Sequence, residues 1–550
     1  MRRLTPPWMP LAIVALAILW FVAAAGSHIA LPGLDYDELT FVNAATGGES
    51  SMFVTQRVFG IPVMVMDYYG ALKAWLYGPI FALFGTSAAT IRWPMIVIST
   101  LSLGLIFVLA RLTFGALGGA IVTLLAAADP VFIWLTKLDF GPIVLMMVLK
   151  LGALYAFYRA LLARSATPLW IVVACCVLGV FDKLNFIWFV IALGVAAVAL
   201  FRRELAATYR RGPLAFVAPV AVLATTMTAA GVAVILPLFA AARSSGTSLG
   251  MLDRIRWIVG RYARTMDGRE LYAFVTGSTL ERPGIVNWLT VAAVAALPAF
   301  WLARARRRRG RGRPRPFRLS LRERFVAAYV VMFVVIAAQI VVTRRAGGPH
   351  HQMMLYPIPF LLIVAAATWL VRWAARATRA GEHRARLFAA RAVAAFALVA
   401  LVVSELSVSR AYAAAFTSED RVTVRWSPEI YALAEYLNGQ QADRIAFADW
   451  GMQNQVYALG TERTRSACRD LWLAFRGSET PEHDAELLAN DFRGRRVLVV
   501  LHPRGEEMVP GAQENFLAWA RLRGLTLRPV RTFADRSGRV TYEVNVVTAP

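Results

Sequence analysis

Apolar runs of about twenty residues recur through the first four hundred residues of this chain. A run of ~20 uncharged residues is the length that a helix needs to cross a bilayer. Of the 550 residues, 58% are hydrophobic and only 17% are charged, more apolar surface than a soluble fold can bury. The sequence therefore predicts a polytopic α-helical membrane protein, and it excludes the several soluble domains that length alone suggests.

We interpret eleven segments as membrane spans. They are 9–30, 92–110, 115–134, 140–161, 168–182, 185–201, 213–241, 285–303, 325–342, 355–371 and 392–408. A further apolar stretch, 68–84, contains Pro79 and is interpreted as a juxtamembrane or re-entrant helix. The first run resembles a signal peptide, but its length and the spans that follow favour an uncleaved helix.

The basic residues set the predicted orientation. The net charge is +25, and only four of the 59 basic residues are lysine. Most of them flank apolar runs, which favours retention on the cytoplasmic side over nucleic-acid binding. The chain changes sides at each span. If 68–84 is not counted as a span, the arginines of 202–211, 304–324 and 372–391 all fall on the cytoplasmic side. By this parity argument, the loop 31–91 and everything after about 409 lie on the extracytoplasmic side.

The last part of the chain differs from the rest. Residues 1–408 form the predicted membrane domain, and 409–550 form a predicted extracytoplasmic α/β domain. Within it we expect helices near 428–438, 482–491 and 512–523, and strands at 444–448, 497–501, 525–533 and 540–547. In the external loop 242–284, residues 252–264 predict an amphipathic helix, either interfacial or solvated. The three cysteines predict neither a disulfide framework nor a metal site.

An acidic cluster follows the first span. Asp35, Asp37 and Glu38 lie within four residues of one another. Neighbouring carboxylates in a partly dehydrated site suit a general base acting on a hydroxyl group. They also suit a divalent cation, although nothing in the pattern requires a metal or another cofactor. An ordinary acidic loop is the alternative.

Further ionisable residues fall at the predicted external ends of spans. Arg92 begins span two, Asp139 follows span three, and Lys183 divides a long apolar stretch. Cations at this face suit a phosphate group, whereas a neutralising pair with Asp182 is the alternative for Lys183. His350 and His351 could bind phosphate, a metal or a sugar hydroxyl, or they could form a polar turn.

The order of these motifs resembles a known family. The motifs are Asp37-Glu38-Leu39-Thr40-Phe41, Phe84-Gly85-Thr86-Ser87 followed by Arg92, Leu138-Asp139, and Lys183. Together, over about residues 9–370, they resemble GT-C fold glycosyltransferases of family 39. These are the dolichyl-phosphate-mannose protein mannosyltransferases and bacterial relatives that transfer aminoarabinose or galacturonic acid. Many members carry His-Pro-Pro where this chain has Asp67-Tyr68-Tyr69, and this departure leaves the acceptor open.

The resemblance implies an inverting transfer from a polyprenyl-phosphate sugar to a hydroxyl of a lipid, glycan or protein. Asp37 would be the general base, Glu38 would support it or position a cation, and Asp139 would orient donor or acceptor. The leaving phosphate would be held by four residues: Arg92, Lys183, His350 and His351. The resemblance places the site at the extracytoplasmic face of the inner (plasma) membrane. A polytopic transporter or flippase is the alternative function, although the sequence shows no repeat between its halves.

Overall fold

The computed structural model describes residues 6–47, 53–237, 250–281, 284–309, 319–343, 348–379, 384–477 and 492–548. Within these ranges, eight helices are long and apolar enough to cross a membrane. They are Met9–Gly26, Ala88–Phe114, Ile143–Ala163, Leu184–Arg211, Pro213–Val234, Leu321–Val342, Pro349–Ala375 and Arg384–Phe416. The last helix continues eight residues past the predicted end of its span at 408.

The three remaining predicted spans are also helical. The helices Ala116–Ala128 and Pro130–Leu138 meet at a 61° bend and together make one broken span. The break follows from Pro130, which has no N–H to continue the ladder, and from Asp129, whose carboxylate accepts the Val131 N–H at 2.9 Å. Predicted spans 168–182 and 285–303 correspond to shorter apolar helices, Thr167–Asp182 and Val286–Leu302. All eleven predicted spans thus coincide with a helix or a bent helix pair.

The arginine-rich helix ends meet at one end of the bundle. Thr113, Ser320 and Arg372, which lie in or directly before three different helices, line one pocket. Arg324 pairs with Glu204 at 2.6 Å in the same region. The acidic loop and the segments around Asp139 and Lys183 follow the opposite ends of these helices. Among the described residues, these arginines therefore lie at the end of the bundle opposite to the acidic loop.

The loop after the first helix is itself folded. It contains the helix Tyr36–Thr46, three short antiparallel strands, β1 (Gln56–Val58), β2 (Ile61–Met66) and β3 (Tyr69–Gly70), and the helix Leu72–Phe84. The strands were not predicted from the sequence. The 13-residue helix Leu72–Phe84 covers about 20 Å, less than the ~30 Å apolar core. The amphipathic segment forms the helix Met251–Met266, followed by Arg269–Thr276.

The C-terminal domain is built around a mixed five-stranded sheet. Its strands are β4 (Arg444–Phe447), β5 (Cys468–Asp470), β6 (Val497–Leu501), β7 (Thr526–Ala534) and β8 (Val540–Thr548), in the order β5-β4-β6-β8-β7. The first three strands are parallel, and β8 runs antiparallel to both β6 and β7. Among the described residues of this domain, five α-helices accompany the sheet: Glu429–Asn438, Gln453–Leu459, Glu462–Ala467, Trp472–Phe475 and Ala512–Leu522. The predicted helix near 482–491 lies outside the described residues.

Candidate functional site

Two carboxylates of the first loop share one guanidinium. Asp35 caps the helix that follows it, accepting the N–H of Asp37 at 3.0 Å. Arg425, 390 residues further along the chain, donates from Nε to Asp35 at 2.5 Å and from Nη2 to Asp37 at 3.1 Å. The rings of Phe274 and Trp450 lie 4.5 and 4.4 Å from the guanidinium carbon. Arg425 is therefore fixed by ion pairs and ring contacts, and it joins the C-terminal part of the chain to the first loop.

Asp37 is the accessible member of the pair. Its side chain is 46% exposed, whereas Asp35 is fully buried. Asp37 nevertheless lies in a recess, where loss of hydration raises its pKa to about 6, the charge of Asp35 adds to the rise, and Arg425 opposes it. A carboxylate with this pKa is ionised at neutral pH and still basic enough to accept a proton efficiently.

Glu38 and Arg92 form a closed, buried unit. Both side chains are at most 1% exposed, and Nε and Nη2 of Arg92 donate to the two Glu38 oxygens at 2.7 and 2.9 Å. Nη1 donates to the carbonyls of Ile29 and Pro32, and Nη2 donates also to Gly33. All five guanidinium protons thus have an acceptor. In the structure Arg92 ties the first loop to its span, and its predicted contact with a phosphate stays a prediction that would require one of these protein acceptors to be exchanged.

The carboxylate of Asp139 is also held by neighbouring protein groups. One carboxylate oxygen accepts the N–H groups of Ile143 and Val144 at 2.8 and 2.9 Å, at the start of the next helix. The other lies 2.8 Å from Nζ of Lys73, and both side chains are buried. Its oxygens contact protein groups and only 1% of the side chain is exposed, so the structure shows Asp139 in a positioning role, and its orienting of donor or acceptor stays a prediction. It positions the loop that carries Gly141.

Lys183 and His350 meet at this loop. Nζ of Lys183 donates to the Gly141 carbonyl at 2.7 Å and lies 5.4 Å from the Tyr69 ring centroid. A Cβ added to Gly141 would lie 3.2 Å from the His350 ring and 3.3 Å from Lys183 Nζ. The alternative, an ion pair with Asp182, does not form, and both Asp182 oxygens lack a hydrogen-bond partner in the described part of the chain. Lys183 therefore keeps N–H donors for a ligand.

The two histidines lie side by side on the short helix Pro349–Gln352. Their ring centroids are 4.1 Å apart, and His350 packs edge-on to Phe140 at 5.8 Å. Nδ1 of His351 accepts the Gly348 N–H at 3.2 Å, so His351 is partly used to begin this helix. Nδ1 of His350 is buried and, among the described residues, has no hydrogen-bond partner. His350 is accordingly the histidine available near Lys183.

The charges of this region fit a guanidinium better than a divalent ion. Within the residues that the structure describes, no three metal-ligating side chains come together. Arg425 already supplies the positive charge between Asp35 and Asp37. Sequence reasoning missed Arg425 and Lys73, because neither lies near its acidic partner in the chain. An acidic cluster at a membrane face indicates that a cationic partner exists, but the sequence does not locate that partner.

Comparison with solved structures defines the fold. ArnT from Cupriavidus metallidurans bound to undecaprenyl phosphate is similar over 98% of this chain and 98% of its own, with 15% identity and a TM-score of 0.52. The Archaeoglobus fulgidus oligosaccharyltransferase tethered to an acceptor peptide matches 98% of this chain and 74% of its own (11% identity, TM-score 0.53). The oligosaccharyltransferase AglB from the same organism, in complex with an inhibitory peptide and a dolichol-phosphate, matches 97% and 74% (12% identity, TM-score 0.52).

The protein is a polytopic membrane protein with the GT-C fold and a C-terminal sheet domain. Within that class, residues 70–239 match the family model described as dolichyl-phosphate-mannose-protein mannosyltransferase. A comparison with curated protein sequences finds no match. The family match and the fold together confirm the resemblance that the order of the sequence motifs indicated.

Proposed function

We propose that this protein is a membrane glycosyltransferase that moves a sugar from a polyprenyl-phosphate donor to a hydroxyl acceptor, with inversion. The observation that carries the proposal is Asp37, a half-exposed carboxylate with a raised pKa, at the same end of a GT-C bundle as Lys183 and His350. The electrostatic influence of Lys183 reaches Asp37, so the base and the cation belong to one region.

The proposed reaction is a single displacement at the anomeric carbon. Asp37 accepts the proton of the acceptor hydroxyl as its oxygen forms a bond to that carbon. The bond from the anomeric carbon to the phosphate oxygen breaks, and its electron pair leaves with the polyprenyl phosphate. Attack opposite the leaving group inverts the anomeric configuration.

Lys183 and His350 are the proposed contacts for the leaving phosphate. A lysine in a buried setting forms short, charge-assisted hydrogen bonds to phosphate oxygens. Lys183 is 2% exposed and held in place by the Gly141 carbonyl, so it is oriented before the donor arrives. Glu38, Arg92 and Asp139 support this site by fixing the loops around it.

We place the site at the extracytoplasmic face of the inner membrane, with the C-terminal domain on the same side. The support is the segregation of arginine-rich helix ends from the acidic end, since cytoplasmic loops concentrate Lys and Arg. A lipid donor suits this face. Undecaprenyl phosphate is bound in the ArnT structure and a dolichol-phosphate in the AglB complex.

Release of label from a lipid donor tests the proposal. The purified protein in nanodiscs is incubated with a panel of undecaprenyl phosphates carrying radiolabelled hexoses or pentoses. Cleavage of one donor, to water or to an added envelope extract, is expected. If proteoliposomes containing the protein move a donor across the bilayer with its glycosidic bond intact and cleave none, the transporter alternative replaces this proposal.

A further inference from the structure

The parallel strands of the C-terminal sheet end beside the proposed catalytic region. Strands β4 and β5 pair in parallel with Phe447 opposite Asp470, so both carboxyl ends lie at one edge. Asp449 and Trp450 follow β4, and Trp472 follows β5. In sheets with parallel strands, ligands bind in the crevice outside these carboxyl ends.

Direct contacts connect this edge to Asp37. The Trp450 ring lies 4.4 Å from the guanidinium carbon of Arg425, which binds Asp37. The same ring lies 4.6 Å from the ring of Tyr36, the neighbour of Asp37 in the chain. Tyr36 also interacts with Asp470 and Trp472 from the second strand end. A ligand on this edge would therefore lie next to the proposed base.

The side chains at this edge offer two kinds of surface. Tyr36, Trp450 and Trp472 are each partly exposed, and they present aromatic faces. Nε1 of Trp472 donates to one oxygen of Asp470 at 2.9 Å. The other oxygen of Asp470 is buried and has no hydrogen-bond partner in the ranges that the structure describes. A buried acceptor without a donor costs free energy, and a ligand hydroxyl would satisfy it.

We propose that the crevice of Tyr36, Trp450, Asp470 and Trp472 binds a saccharide acceptor and presents one of its hydroxyls to Asp37. A sugar ring combines an apolar C–H face, which packs on aromatic rings, with hydroxyl groups that donate to a carboxylate. This inference rests on the proposed glycosyltransferase function and assigns its acceptor to the saccharides.

A partition experiment tests the acceptor. Four proteins are purified in nanodiscs: the wild type, Asp470→Asn, Trp472→Phe and Glu435→Gln. The last is the control, because Glu435 is an exposed acid of the same domain. Each receives labelled undecaprenyl-phosphate sugars and an envelope extract from cells lacking the protein. Label is then measured in water, in the glycan and glycolipid fraction, and in the protein fraction. Monodispersity is checked for each variant.

Wild-type protein and Glu435→Gln are expected to label the glycan fraction. In Asp470→Asn the oxygen can keep the Trp472 contact, which places an NH2 donor where the acceptor oxygen was. The ratio of glycan label to released free sugar should then fall roughly threefold to tenfold, the effect of one lost hydrogen bond. Trp472→Phe should lower it less. An unchanged ratio in Asp470→Asn, or label in the protein fraction, overturns the saccharide assignment while the transferase stands. If wild-type protein cleaves no donor, the proposed function fails first.

Discussion

Asp37 differs from its acidic neighbours in what surrounds it. Asp35 and Glu38 are buried and engaged by arginines, whereas nearly half of the Asp37 side chain is exposed. The residue pattern alone identified the cluster without separating its members, because burial and partners depend on residues hundreds of positions away. The family resemblance singled out Asp37, and the structure adds that Asp37 is the most exposed of the three, while its role as the base stays a prediction.

Replacing Asp37 with Asn should abolish most transfer. The amide keeps the shape and part of the hydrogen bonding but cannot accept the proton, and general-base assistance commonly contributes ~10²–10⁴-fold. Turnover of a labelled donor should fall by about that factor, while donor affinity changes much less because the phosphate contacts are elsewhere. Near wild-type turnover in a well-folded Asp37→Asn protein would remove Asp37 from the mechanism.

The pH profile should report the same carboxylate. With a pKa of about 6, Asp37 is protonated in acid, so the rate should fall about tenfold per pH unit below 6 and level off above it. Arg425 lowers this pKa, so Arg425→Gln should move the acidic limb to higher pH. Arg421→Gln removes an exposed arginine nearby and should leave the limb in place. Identical limbs in all three proteins would contradict the assignment.

Substitutions of Lys183 and Arg92 should affect different properties, donor kinetics for Lys183 and thermal stability for Arg92. Lys183→Ala should raise the donor KM or lower turnover in a folded protein, because a phosphate loses a charge-assisted partner worth about 1.5–3 kcal/mol. Arg92→Ala leaves Glu38 buried without its partner, a cost of about 3–5 kcal/mol, and should lower the melting temperature. Thermal unfolding beside donor kinetics separates the two. Equal stability losses would contradict this division of roles.

At the scale of elements, sequence reasoning succeeded where a long pattern repeats. Apolar runs located a helix or a bent helix pair at each of the eleven predicted spans, and strand-like runs located the longer C-terminal strands. It missed β1–β3, β5 and the helices of 453–475, because elements of two to seven residues carry too little periodicity. Their positions follow instead from close packing, as at Gly70 in β3, where an added Cβ would collide with the backbone carbonyl of Phe181.

This close approach gives a prediction with a built-in control. Gly70→Ala should push the first-loop sheet away from the helix ending at Asp182, lowering the melting temperature and transfer activity, because neighbouring backbone must shift. Gly78→Ala, in the helix Leu72–Phe84, meets nothing within 4 Å and should be neutral or slightly stabilising. Thermal unfolding of both variants in nanodiscs is the measurement. Equal melting temperatures would show that the contact at Gly70 is not constraining.

At the scale of the whole molecule, the orientation is the property still open to a direct test. If the arginine-rich loop 304–324 is cytoplasmic and the C-terminal domain is external, reporters in that loop and at residue 430 should give opposite readouts. An alkaline phosphatase reporter, active only outside, and a fluorescent protein, bright only inside, suffice together. The same readout at both positions would overturn the parity argument and the extracytoplasmic site.

The link between Arg425 and the first loop also bears on the order of events during synthesis. Asp35 and Asp37 leave the ribosome early, and their guanidinium partner is made 390 residues later. Every membrane helix can be inserted before the cation exists, so a nascent chain carries two uncompensated carboxylates at its membrane face. The region around Asp37 is therefore completed only when the chain beyond the last membrane helix folds back. A protein truncated after Phe416 would retain the membrane helices described above but would lack the guanidinium that pairs with Asp35 and Asp37.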